Sequence, residues 1–258
     1  MQIKTNKKSH SMWMVAVGIL LLGCLSFSYL YQQKTTIYLI GDSTMADKSV
    51  NAYPETGWGM PFHYFFDSTI KVDNRAQNGR STRTFIEEGR WKSVLTTLKA
   101  GDFVLIEFGH NDEVPTKRSY TAPEAFTANL KTFIKDTRDK GATPILLTPV
   151  ARRDFDSTGK LIDTHPVYGP LAIQTAKAEG VALIDVQKLS MELLEKMGPE
   201  NSALLYNQLE PGEHPHYPAG VKDNTHFNEL GARRIAQIVL HELCKLDLPL
   251  KYHLSAKR

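Results

Sequence analysis

Five short apolar runs, each separated from the next by a stretch of helical periodicity, constrain this chain more than any other feature. The runs are Thr36–Ile40, Thr69–Asp73, Phe103–Glu107, Pro144–Leu147 and Val181–Asp185. Each has strand length and no internal breaker, as expected of strands buried on both faces. Between them, Trp91, Val94, Leu95 and Leu98 fall on one helical face, and Phe126, Leu130, Phe133 and Ile134 repeat that spacing. Thr121 and Glu124 read as a capping box opening the second of these helices, and Gly141 closes it. Leu189, Leu193, Leu194 and Met197 mark a further helix, and Ile235, Ile238, Val239, Leu243 and Leu246 the last. Strands alternating with helices predict a three-layer α/β/α fold around a five-stranded parallel sheet. From Asn207 to Asp223 the chain is rich in Pro, Gly and His and shows no period, which predicts a long loop.

The first thirty-three residues stand apart from the domain that follows, 34–258. Lys4, Lys7 and Lys8 precede an uncharged run from Met12 to Leu30. That is the pattern of an export signal, with a retained membrane anchor as the rival. Leu21-Leu22-Gly23-Cys24 resembles a lipobox that would lipidate Cys24, and Ser26-Phe27-Ser28 is an ordinary small-x-small cleavage site. Each alternative places the domain outside the cytoplasm, whether periplasmic, surface-attached or secreted.

Charge follows from the same division. The chain carries 31 Lys and Arg against 28 Asp and Glu, a formal net charge of +3. Removing the three N-terminal lysines leaves zero, so no electrostatic case for nucleic acid remains. Cys24 and Cys244 are the only cysteines, and without Cys24 the domain has no intrachain disulfide to make.

Four short polar blocks carry the candidate chemistry. Gly41-Asp42-Ser43-Thr44 follows the first strand and reads as a tight turn into a helix start, with Ser43 either a nucleophile or only a helix cap. Asn78-Gly79-Arg80-Ser81-Thr82 follows the second strand, and Gly109-His110-Asn111-Asp112 the third. Asp223-Asn224-Thr225-His226 precedes the last helix. The ends of parallel strands gather at one edge of an open α/β sheet, where ligands bind. Taken alone, the second block is an ordinary turn, the third a polar loop and the fourth a helix N-terminal box. Their joint occurrence at these strand ends fits acyl transfer. A serine hydroxyl needs a base, here His226, and the base needs a carboxylate to hold its other nitrogen, here Asp223. The tetrahedral oxyanion needs preorganised donors, for which the N–H groups of Ser43 and Gly79 and the amide of Asn111 are candidates.

These blocks resemble the SGNH (GDSL-type) hydrolase superfamily, named for its Ser, Gly, Asn and His, which match Ser43, Gly79, Asn111 and His226. Gly41-Asp42-Ser43-Thr44-Met45, Gly57-Trp58-Gly59, Asn78–Thr82 with Thr84-Phe85, Phe108–Asp112, Thr148–Arg153 and Asp223–Phe227 are similar to its rhamnogalacturonan acetylesterase branch. The resemblance runs from about Thr36 to Leu246. It implies a flavodoxin-like sandwich and a serine esterase, without cofactor, removing acetyl groups from a plant cell-wall polysaccharide. The alternatives are an acetylxylan or general carbohydrate acetylesterase, a lipase or thioesterase of the same superfamily, and a carbohydrate-binding protein with an inactive site.

Secondary candidates for substrate contact are Arg80, His110, Lys117, Arg118, His214 and His216. The two loop histidines with Glu213 lack the further ligands a metal site needs. Trp58 is a candidate for stacking on a sugar ring, whereas Trp91 belongs to a helical apolar face. Asp42 is read as a structural partner of the serine turn rather than the acid of the triad.

Overall fold

The computed structural model describes residues 34–255. The proposed export segment, with Cys24, lies outside the described residues. The five strands are β1 (Thr35–Gly41), β2 (Ile70–Asn74), β3 (Phe103–Glu107), β4 (Thr143–Leu147) and β5 (Ala182–Ile184). Each expected boundary is met to within one residue. They pair in parallel in the order β2-β1-β3-β4-β5. The strand order reverses direction at β1, which makes the β1/β3 edge the topological switch point.

Alternate residues of the strands feed two separate cores, as a pleat with both faces covered requires. Ile37, Leu39, Leu105, Ile145 and Leu147 pack against α5 (Val186–Asn201), α6 (Glu229–Lys245) and the buried rings of Trp58 and Phe62. Tyr38, Ile40, Val104, Ile106 and Leu146 face the other layer: α1 (Thr82–Glu87), α2 (Arg90–Thr97), α3 (Pro123–Asp139) and α4 (Tyr168–Glu179). Trp91 belongs to this second core, 5.0 Å from the Phe133 ring, with its indole N–H donating to Asp136.

Two local expectations fail. No capping box opens α3: Ala122 is its N-cap and Pro123 its first residue, while the Thr121 N–H donates to Asp112 O at 3.0 Å. Proline already suits the first turn, so the missing cap costs little. The predicted loop before the fourth block is instead an antiparallel hairpin, β6 (Tyr206–Leu209) with β7 (Val221–Phe227). Asp223 and His226 therefore sit on a strand. That strand runs directly into α6, where Asn228 caps the Gly231 N–H at 3.0 Å. A Cβ at Gly231 would lie 1.8 Å from the Leu205 carbonyl oxygen at the foot of the hairpin.

Beneath the β1/β3 edge lies a buried carboxyl network. Glu107, last residue of β3 and 1% exposed, accepts the Trp58 indole N–H at 2.5 Å and the Val150 N–H at 3.0 Å. Trp58 is thus committed to the core and offers no face to a sugar, contrary to expectation. The Thr44 hydroxyl lies 3.0 Å from Asp42 Oδ1 and 3.4 Å from Glu107 Oε1. It has one proton for two carboxyl groups, and a proton on Glu107 completes the chain. Burial, then the neighbouring Asp42 carboxyl, push Glu107 up to about 8. Asp42 is raised in the same direction by its own burial.

Two measurements check this architecture. Gly231→Ala should destabilise the fold by about 2 kcal/mol or more, because a backbone carbonyl cannot move aside as a side chain would; a denaturant titration reads it. For Glu107, the folded carboxyl binds its proton more tightly than the unfolded one. The stability it contributes is present below about pH 4.5 and lost as pH rises towards about 8. The stability difference between wild type and Glu107→Gln should change only across that window in an unfolding series against pH.

Candidate active site

The serine turn is built by its neighbour. Asp42 accepts the Thr44 N–H on its side chain at 3.0 Å, and its carbonyl accepts the N–H of Ala46 at 3.0 Å. The helix start expected here is therefore one turn only. Lys48 fixes it from outside: its ammonium donates to Ser43 O at 2.6 Å and to Asn78 Oδ1 at 2.9 Å, and pairs with Glu55 at 2.7 Å. With 1% of its side chain exposed, Lys48 joins the first block to the second.

The second and third blocks are also tied together. Asp112, fully buried, accepts both the N–H (3.0 Å) and hydroxyl (2.6 Å) of Thr82 at the start of α1. Burial raises its carboxyl to about 7 against the opposing effect of those two bonds. The Asn111 amide donates to Arg80 O at 3.2 Å, which leaves its second hydrogen uncommitted. Gly79 has a φ of +75°, a conformation that favours glycine. Among the described residues, neither its N–H nor that of Ser43 donates to a protein acceptor.

The hairpin carries the fourth block to this edge. Its backbone is held by the Thr56 N–H to Phe227 O (2.8 Å) and the Arg153 N–H to Asn224 O (2.9 Å), with the Arg153 guanidinium on Asn224 Oδ1 at 2.8 Å. Three side chains then form a relay. His226 Nε2 is 2.8 Å from Ser43 Oγ, and His226 Nδ1 is 2.7 Å from Asp223 Oδ2. Asp223 Oδ1 accepts the N–H groups of Thr225 (2.7 Å) and His226 (2.9 Å). Burial acts to raise Asp223, but the His226 bond, the His226 charge and these backbone donors outweigh it, and its carboxyl sits below its ordinary value. A carboxylate on Nδ1 leaves Nε2 free to accept the serine proton.

The secondary candidates fall in different places. Arg80 bonds Glu88 at 3.0 Å and Asn78 O at 2.9 Å, bracing its own loop. Lys117 and Arg118 are exposed on the loop after Asn111, and the Arg118 carbonyl accepts from Arg83. His110 is 3% exposed and has no polar partner for either ring nitrogen, so it offers substrate no open surface. Burial holds its ring well below the ordinary histidine range, and it packs edge-on to His165 at 4.4 Å. His165 in turn bonds Glu113 (2.9 Å) and Val150 O (3.0 Å), and Arg152 donates to Glu113 (2.8 Å) and His110 O (3.2 Å). His216 donates to Tyr53 O at 3.1 Å, and the His214 ring packs 5.5 Å from Tyr53. Both therefore brace the segment before Trp58. Among the described residues, no group of three or more His, Cys, Asp or Glu is placed to hold a metal ion.

Sequence reasoning missed Lys48, Glu107, Glu113 and His165. Only Glu107 left a signal, as a carboxylate inside an otherwise apolar run.

Residues 39–234 match the GDSL-like Lipase/Acylhydrolase family. The chain is 39% identical over 221 residues to the rhamnogalacturonan acetylesterase RhgT of Bacillus subtilis, covering 86% of this chain and 94% of that protein. It is 35% identical to the probable rhamnogalacturonan acetylesterase YesY of the same organism, covering 86% and 98%. The crystal structure of Bacillus subtilis YxiM superposes with a TM-score of 0.70 at 30% identity; the match covers 83% of this chain and 57% of that one. The chain thus belongs to the GDSL-like lipase/acylhydrolase family and is a carboxylic ester hydrolase.

Proposed function

We propose that the chain is an exported carbohydrate acetylesterase that removes O-acetyl groups from rhamnogalacturonan through Ser43, His226 and Asp223. The 2.8 Å contact between His226 Nε2 and Ser43 Oγ carries this reading, because it joins residues 183 positions apart in the chain. The two relatives named for rhamnogalacturonan acetylesterase activity, each matched over 86% of this chain, support the substrate. The uncharged Met12–Leu30 run behind three lysines supports export.

In this mechanism Ser43 Oγ attacks the acetyl carbonyl carbon while its proton passes to His226 Nε2. Asp223 stabilises the imidazolium so formed. The carbonyl oxygen gains the negative charge and is met by the N–H groups of Ser43 and Gly79 and by the free amide hydrogen of Asn111. The carbon–oxygen bond to the sugar then breaks, and the leaving alkoxide takes the proton from His226. Water attacks the acetyl-enzyme, gives its proton to His226, and acetate leaves as Ser43 regains that proton. No step needs a cofactor.

Ser43→Ala should abolish acetate release. Asn111→Ala should lower kcat by about 100-fold or more with little change in KM, as expected of a donor that acts on the oxyanion; a rise in KM alone would assign Asn111 to substrate binding. Acetate release from acetylated rhamnogalacturonan, homogalacturonan and xylan, beside short synthetic esters, tests the substrate. The expected order places rhamnogalacturonan first, with rate falling steeply from acetate to butyrate esters. Comparable turnover across the panel would replace the proposal with a general acetylesterase.

A further inference from the structure

A groove of about 490 Å³ opens beside the serine turn, lined by residues of the 48–64 segment and by Glu229 and Arg233 of α6. None of the four polar blocks contributes to it. Two of its lining residues are one hydrogen bond from the proposed machinery. Lys48 donates to the Ser43 carbonyl, and the Thr56 N–H donates to the carbonyl of Phe227, next to His226. The groove's wall is thus tied by hydrogen bonds to both the serine and the histidine segments.

Its lining is unusual for a surface. Tyr53 is 44% exposed and Tyr64 65%, and the His63 ring lies 3.8 Å from that of Tyr64. Exposed aromatic faces side by side suit the apolar faces of sugar rings, with the hydroxyl edges left to water. The charges are also unequal in their commitments. Glu55 is paired with Lys48, and Glu229 accepts the Tyr53 hydroxyl at 2.6 Å. Arg233 lies over the Phe65 ring at 5.6 Å, and among the described residues it has no carboxylate within ion-pair distance. A guanidinium with no carboxylate partner among the described residues, lining the same groove as Tyr53 and Tyr64, is a receptor for a planar carboxylate on a sugar.

We propose that this groove is a subsite for the glycan chain flanking the acetylated sugar, with Tyr64 stacking on a ring and Arg233 taking a uronic acid carboxylate. This assignment rests on the acetylesterase reading above and deepens it, because it locates where the acidity of the polymer is recognised. The subsite acts on binding, so it bears on large substrates and not on a short ester that fills only the reactive centre.

The test compares Tyr64→Ala and Arg233→Gln with wild type on acetylated rhamnogalacturonan oligosaccharide, on the same oligosaccharide after carboxyl reduction, and on 4-nitrophenyl acetate. The ratio of kcat/KM on the oligosaccharide to that on the short ester should fall about fivefold for each variant, through KM. On the carboxyl-reduced oligosaccharide the deficit of Arg233→Gln should vanish while that of Tyr64→Ala persists. Unchanged ratios in both variants, with wild type releasing acetate from the glycan, would overturn the subsite and leave the proposed function standing. An Arg233→Gln deficit equally large on the reduced glycan would overturn the uronate assignment. Wild type that hydrolyses only the short ester would overturn the acetylesterase reading, and the subsite with it.

Discussion

The arrangement depends on a pair of backbone hydrogen bonds. A parallel sheet delivers Ser43, Gly79 and Asn111 to one edge without further help, because each follows a strand whose neighbours end at the same level. His226 has no such route. It arrives on an antiparallel hairpin outside the sheet, and that hairpin is pinned over the edge by Thr56 N–H on Phe227 O and Arg153 N–H on Asn224 O. Backbone bonds of this kind fix a strand in register. They locate the imidazole to the precision that proton transfer requires, which a mobile loop would not do.

Around that clamp the polar groups are shared out so that few work alone. Lys48 binds the serine carbonyl and the second block together. Asp112 holds Thr82, and Asn111 holds Arg80, so the donors proposed for the oxyanion are braced by the residues beside them. Electrostatic preorganisation of this sort lets a site meet developing charge without rearranging. Asp223 and Asp42 illustrate how environment divides two carboxyl groups near one histidine. The first is lowered by donors aimed at it, and the second is raised by burial.

Much of this was legible in the residues. The five strands stand where the apolar runs stand, since a strand covered on both faces has no choice but to be apolar throughout. The first three blocks could be placed because they follow those strands. The fourth could be identified but not positioned. In Val221–Phe227 the alternation runs through Lys, Asp, Asn, Thr and His, so its period of two is hidden among polar side chains. Trp58 was misjudged because a tryptophan between glycines looks available, and only the buried Glu107 explains why it points inward. Lys48 could not have been found at all. A lone lysine in a polar stretch carries no mark of the three acceptors that fold around it, and those acceptors come from parts of the chain up to thirty residues away.

The carboxyl of Glu107 bears on how this scaffold tolerates change. It links the serine turn through Thr44, the Gly57-Trp58-Gly59 bend through the indole, and the exit of β4 through the Val150 amide. An isolated apolar replacement at position 44, 58 or 107 leaves a buried polar atom without its partner. Simultaneous replacement by apolar groups of matched volume removes the side-chain partners together, but it still strands the backbone N–H of Val150, which keeps its need for an acceptor. Mutational libraries aimed at the serine turn should therefore vary these three positions as a single unit and keep an acceptor at position 107 for the Val150 amide.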